Sequence, residues 1–117
     1  AAEALHGITG LAEHGAALKR LAEHVGGFLA VTDGPNGITW LDAGHVRHMP
    51  AFAVKAIDSL GAGDAFHGAF TLALAEGRDL PGAMRFAGAV AALKCTKFGG
   101  ASGAPTRAEV EAFLKQR

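Results

Sequence analysis

The chain has only one cysteine, Cys95, among its 117 residues, which excludes an intramolecular disulfide. That fits a reducing compartment, so the sequence reads as cytoplasmic with a buried, inert thiol. An excess of either charge is also missing, since eleven Lys and Arg balance eleven Asp and Glu. Without a basic run to follow a phosphate backbone, nucleic acid is set aside as a partner. No apolar stretch reaches the roughly 18 residues of a membrane span, because charges interrupt Ala and Gly throughout. The first residues lack the basic-then-apolar pattern of a signal peptide, and no membrane partner is expected. Six histidines are present, but the closest pair, His45 and His48, stands three apart in an extended run. Odd spacing there sends side chains to opposite faces, so no histidine metal site is expected.

What is present is a globular composition, 50% hydrophobic and long enough for one domain with a core. Leu11, Leu18, Leu21, Ala22 and Val25 mark one helical face and Gly26-Gly27 ends it, which predicts a helix over 11–25. Phe28 to Thr32 is a short continuous apolar run, the pattern of a strand covered on both faces in a parallel sheet. Asp33 to Gly37 is a turn by composition, and Ile38 to Leu41 and Val46 to Met49 form a hairpin around Asp42 to His45. Residues 52–57 form a second extended piece, and helical spacing follows to Glu76, where Gly77 closes the helix. Asp79 caps the next helix with Pro81 in its first turn, and Phe86, Val90 and Leu93 supply its apolar stripe. Thr106 and Glu109 match a capping box before Val110, Phe113 and Leu114. The order of elements predicts an α/β fold with antiparallel strands attached to a parallel core.

The chemistry concentrates in Asp58-Ser59-Leu60-Gly61-Ala62-Gly63-Asp64-Ala65-Phe66, where an extended segment gives way to a helix. A helix start leaves backbone N–H groups without intrahelical partners and with partial positive charge. Glycine at both ends of the turn, with small Ala62 between, lets a phosphate oxygen approach closely. Asp64 would repel that anion, which makes sense if it removes a proton from the hydroxyl that attacks a transferring phosphoryl group. The plainer alternative is an acid in the first helical turn, stabilised by the dipole.

This string resembles the second signature of the ribokinase-like (PfkB) carbohydrate kinases, which reads Asp-Thr-x-Gly-Ala-Gly-Asp-x-Phe; only Ser59 departs. The resemblance runs in order from Gly10 to the final helix. It implies the C-terminal part of a three-layer α/β/α fold of Rossmann type, mostly parallel with an antiparallel hairpin. It also implies that Asp64 is the catalytic base, and that Gly61, Ala62 and Gly63 form the anion hole for the ATP γ-phosphate. Val31-Thr32-Asp33-Gly34-Pro35-Asn36-Gly37 looks like the family's Val-Thr-x-Gly-x-x-Gly segment. By that likeness Thr32, Gly34 and Gly37 approach the nucleotide; alone the segment reads as a strand ending in a glycine turn, and beside the first motif the nucleotide reading is the one preferred. Gly88 would border the adenine.

The same resemblance implies a monovalent cation, K⁺, beside the anion hole, held by Asp58 and the carbonyls of Leu60, Lys94, Lys97 and Gly99. Gly103 stands where the family often has a serine ligand, and Asp58 could instead cap the glycine loop. His67 reads as packing or a contact at the substrate rim, and Lys97 as a phosphate contact or a solvated lysine. Glu3 resembles the acid of the family's Asn-x-x-Glu motif, which holds Mg²⁺ through water, but the asparagine is not in this sequence and Glu3 is left out of the site.

The resemblance therefore makes residues 1–117 the C-terminal ATP-binding and catalytic portion of an ATP- and Mg²⁺-dependent sugar kinase, homodimeric when complete. The N-terminal sugar-binding and lid part is not in this sequence, and the chain alone is expected to be inactive. The runs Phe66 to Phe70 and Lys94 to Gly100 lean toward ketohexokinase and sulfofructose kinase. A nucleoside or hydroxymethylpyrimidine kinase of the same fold, or a non-catalytic nucleotide-binding fragment, is the alternative.

Overall fold

The computed structural model describes residues 2–59, 61–98 and 104–117. They fall into two compact units, Ala1–Ala51 and Phe52–Arg117. Each unit has its own buried set.

In the first unit, α1 (Ala2–Thr9) precedes α2 (His14–Ala22). The single helix expected over 11–25 is corrected at both ends. Gly10 takes a left-handed φ of 72° and its N–H bonds the His6 carbonyl, which closes α1. Glu13 then opens α2 by accepting from Gly15 N (2.9 Å) and Ala16 N (2.7 Å). Apolar spacing continued through Leu11 without registering this break, because Leu11 packs on the same core from outside the helix. That core is Leu5, Ala17, Leu18 and Val31, with Leu21, Leu29 and Leu41 against it.

Three strands follow, β1 (Ala30–Thr32), β2 (Ile38–Asp42) and β3 (His45–Met49), in the order β1-β2-β3. Both pairings are antiparallel, with Val31 opposite Thr39 and Trp40 opposite Arg47. Ala43 (φ 49°) and Gly44 (φ 82°) make the two-residue connection between β2 and β3, and two positive φ values match the twist that a hairpin needs. Ile38, Thr39 and Trp40 are buried in succession, so β2 is covered on both faces. The expected hairpin is thus present. The apolar run at 28–32 pointed to parallel neighbours for β1, yet its neighbour among the described residues is antiparallel β2. An apolar run reports burial, not the direction of the adjacent strand.

In the second unit, α3 (Ala62–Ala75), α4 (Leu80–Cys95) and α5 (Arg107–Lys115) pack through Phe66, Ala69, Ala73, Ala83, Met84, Phe86, Ala87, Ala89, Val110 and Phe113. Alanines four apart, Ala69 with Ala73 and Ala83 with Ala87, keep the facing surfaces of α3 and α4 low. Small side chains at such a contact let two helix axes approach closely. The caps stand where the sequence put them. Asp79 accepts from Gly82 N at 2.9 Å, Thr106 and Glu109 form a reciprocal box, and Gly77 follows α3 with a φ of 88°.

Residues 52–57 form no strand among the described residues. They have no regular secondary structure, with Phe52 and Val54 half-buried between exposed neighbours. Ile57 and Asp58 both donate their N–H to the Cys95 carbonyl, at 2.6 and 3.0 Å. Those bonds fasten the segment to the C-terminal end of α4 just before the glycine turn.

Candidate active site

Gly61 is the N-cap of α3 and has a φ of 77°. A side chain there would strain the backbone, so the turn requires glycine at that position. Ala62 N bonds Ser59 O (3.1 Å), and the first helical bond runs from Ala65 N to Gly61 O (2.9 Å). Gly63 lies between, in the first turn, where helix geometry provides no earlier intrahelical carbonyl for its N–H. Among the described residues a Cβ built on Gly63 meets nothing within 4 Å. The glycine therefore faces open space, as an anion approaching the helix start would need.

Asp64 follows in the same turn with an exposed side chain. Among the described residues its carboxylate takes no hydrogen bond or ion pair, which leaves both oxygens available to accept a proton. His67, one turn on, is exposed and edge-on to the Phe66 ring at 5.9 Å. Gly88 lies on α4, where an added Cβ would sit 3.8 Å from the Phe52 ring, an ordinary contact.

Asp58, Lys94 and Lys97 are brought together beside this turn. Lys94 is completely buried, and its Nζ donates to the carbonyls of Asp58 (3.0 Å) and Lys97 (3.3 Å). The Asp58 carboxylate stands 3.8 Å from the same nitrogen. The resemblance implies the Lys94 carbonyl as a cation ligand; in the structure that carbonyl accepts the N–H of Lys97 at the end of α4. Leu60 and Gly99, the other expected carbonyl ligands, lie outside the described residues, as does Gly103. The Lys97 ammonium donates to Glu109 at 2.7 Å and holds its carboxyl at about 2, with the Thr106 backbone bond as the second cause.

Thr32, Gly34 and Gly37 belong to the first unit. Thr32 ends β1 opposite Ile38, and Gly34 opens a short 3₁₀ turn, Gly34–Asn36, with open space around its Cα. The loop closes on itself through Asp33 N to Gly37 O (2.9 Å) and Gly37 N to Gly34 O (3.1 Å). Gly37 has a different reason to be glycine: its φ is 91° and an added Cβ would strike the Met49 carbonyl.

Sequence reasoning missed two clusters. Asp33 accepts from His14 Nε2 (2.8 Å), and His14 Nδ1 meets His6 Nε2 (2.8 Å) with the rings stacked at 4.8 Å. A neutral His14 that gives its proton to Asp33 must accept at Nδ1, so His6 is the donor of that pair. The bonds from His14 and then Asn36 lower the Asp33 carboxyl below its ordinary range. A separation of eight residues across two helices gives no periodic signal. The other cluster is Lys94 itself, and here a signal was available: Lys94 lies seven residues after Ala87, on the buried stripe of α4. A charged residue on a core stripe announces a buried partner.

The fold and this glycine turn define a ribokinase-type α/β chain. Residues 2–107 match the model of the pfkB family carbohydrate kinases, and the chain belongs to that family. It is 43% identical over 86 residues to the ribokinase of Bacillus subtilis, a match covering 74% of this chain and 29% of that protein. The ribokinase structure from Thermotoga maritima superposes with a TM-score of 0.87 at 37% identity, covering 97% of this chain and 39% of the other. A fructokinase double mutant from Vibrio cholerae, in a form bound to fructose, ADP and potassium, gives 0.86 at 30% identity, covering 96% and 38%. The chain thus spans well under half the length of each. These relatives carry the names ribokinase and fructokinase; the lean toward ketohexokinase rests on two short motifs alone.

Proposed function

We propose that the natural protein carrying this chain transfers the γ-phosphoryl group of ATP to a hydroxymethyl group of a pentose or ketose. The observation that carries this reading is the start of α3. Gly61 turns the chain in a left-handed conformation, Gly63 faces open space, and Asp64 presents an unpaired carboxylate in the same turn. Family membership supports it, as do the ribokinase and fructokinase relatives.

In this mechanism Asp64 accepts the proton of the acceptor hydroxyl as its oxygen attacks the γ-phosphorus. The bond from that phosphorus to the β–γ bridging oxygen breaks, and ADP leaves. The N–H groups at the start of α3, with the helix dipole behind them, stabilise negative charge on the transferring group. Mg²⁺ would supply charge neutralisation across the ATP phosphates. Thr32 and Gly34 serve the nucleotide side in this reading, Gly37 shapes the turn that follows them, and Gly88 serves the adenine edge. We place the activity in the cytoplasm, where Cys95 stays reduced. Among the described residues no helix is long and apolar enough to cross a membrane.

Asp64→Asn tests the assignment. ATP binding stays near its native strength while transfer to a responsive acceptor, found by assaying pentoses, ketohexoses and nucleosides, falls about 10²–10⁴-fold. Native turnover in the variant removes Asp64 as the base. Transfer to nucleosides alone moves the protein to the other branch of the fold.

A further inference from the structure

Lys94 is the largest fully buried side chain among the described residues, and it carries a charge. A buried ammonium is retained only with close oxygen partners. Its partners come from two loops that must converge. The Asp58 carbonyl and carboxylate lie three residues before Gly61, and the Lys97 carbonyl lies just after α4. Two bonds from Ile57 and Asp58 to the Cys95 carbonyl fix the same junction from the backbone side.

Carbonyl and carboxylate oxygens around one positive charge form the kind of set that replaces the hydration shell of a monovalent cation. A lysine ammonium is itself a compact point charge with three donors. The V. cholerae fructokinase is described in a potassium-bound form. Here the Asp58 carboxylate and the Lys97 carbonyl, two of the ligands expected for K⁺, face Lys94 Nζ instead. The described atoms therefore do not fit a free cation at this position.

We propose that Lys94 is a built-in monovalent cation, so that this protein needs no K⁺. The ammonium is a positioning group: it ties the Asp58 segment to the loop after α4 and thereby sets the entry into the Gly61 turn. The consequence for turnover rests on the kinase reading above, whereas the consequence for cation binding does not.

The test compares melting temperature and phosphoryl transfer of the natural protein in KCl and in tetramethylammonium chloride at equal ionic strength. The native protein gives the same melting temperature and the same rate in both salts. Lys94→Ser, which removes the ammonium and leaves room, melts lower in tetramethylammonium and recovers with K⁺ or NH₄⁺ but not Li⁺. Its transfer rate falls about 10–100-fold, as for lost supporting groups at ion sites, and returns with the same ions. A native protein stabilised or activated by K⁺ overturns the proposal, and that comparison needs no variant to fold. A folded Lys94→Ser protein indifferent to every monovalent cation also overturns it. Absence of transfer in all salts defeats the kinase reading instead, while the melting comparison still decides the role of Lys94.

Discussion

Two glycine turns in this chain look alike in sequence and differ in what surrounds them. At Gly37 an added methyl group would collide with the Met49 carbonyl and approach Ala51 N to 3.0 Å, so the glycine is demanded by the protein's own backbone. At Gly63 the same methyl group meets nothing within 4 Å among the described residues, so their packing makes no demand. Under the proposed function, a glycine that packing does not need, in a helix-opening turn next to an unpaired acid, is kept for an anion that arrives from outside. On that reading Gly37 serves folding and Gly63 serves binding.

The largest stability effect should fall on the first of them. Gly37→Ala combines the strain of a glycine-only backbone region (φ 91°, ψ −152°), on the order of 1–3 kcal/mol, with a backbone collision, and the cost should exceed that strain alone. Denaturant unfolding measures it; a native midpoint would show that Gly37 is not held by packing and would dissolve the contrast. Thr106→Ala removes the side-chain bond to Glu109 N and should cost about 1 kcal/mol, read in the same way. It bears on the second unit without touching the turn, so transfer should survive it.

The smallest effect is electrostatic. Glu109 titrates at about 2, below its ordinary 4.5, chiefly through its bond from Lys97. Its folded pKa is depressed, so its contribution to stability is present above about 4.5 and is lost as pH falls toward 2. Glu109→Gln should flatten the melting temperature over that window and leave neutral pH little changed, because the pair is exposed. An unchanged acid slope would mean that the Lys97 bond does not persist in solution.

Local signals were legible wherever one residue type has one physical task. Asp79, Thr106 with Glu109, and Gly77 stand at helix ends as read, and so does the hairpin around Ala43-Gly44. The Gly61 to Asp64 turn was legible for the same reason, since its φ and helix start follow from glycine placed before an apolar helical stripe. The break at Gly10 was not, because Leu11 continues an apolar spacing without being helical. Nor was the antiparallel partner of β1, because burial carries no direction. The side-chain clusters were least visible. His6, His14 and Asp33 meet only through tertiary packing, and the contacts of the Lys94 ammonium with the Asp58 and Lys97 carbonyls carry no local sequence signal beyond its place on a buried stripe.

Gly63→Ala in the natural protein, with melting temperature and phosphoryl transfer measured side by side, addresses the central claim most directly. Alanine is the better helix former and fits the space, so the melting temperature should stay level or rise. Transfer should fall about a hundredfold, the order expected when a reacting group is displaced by roughly 1 Å. Native transfer in a stable Gly63→Ala protein would contradict the placement of the γ-phosphate at the start of α3.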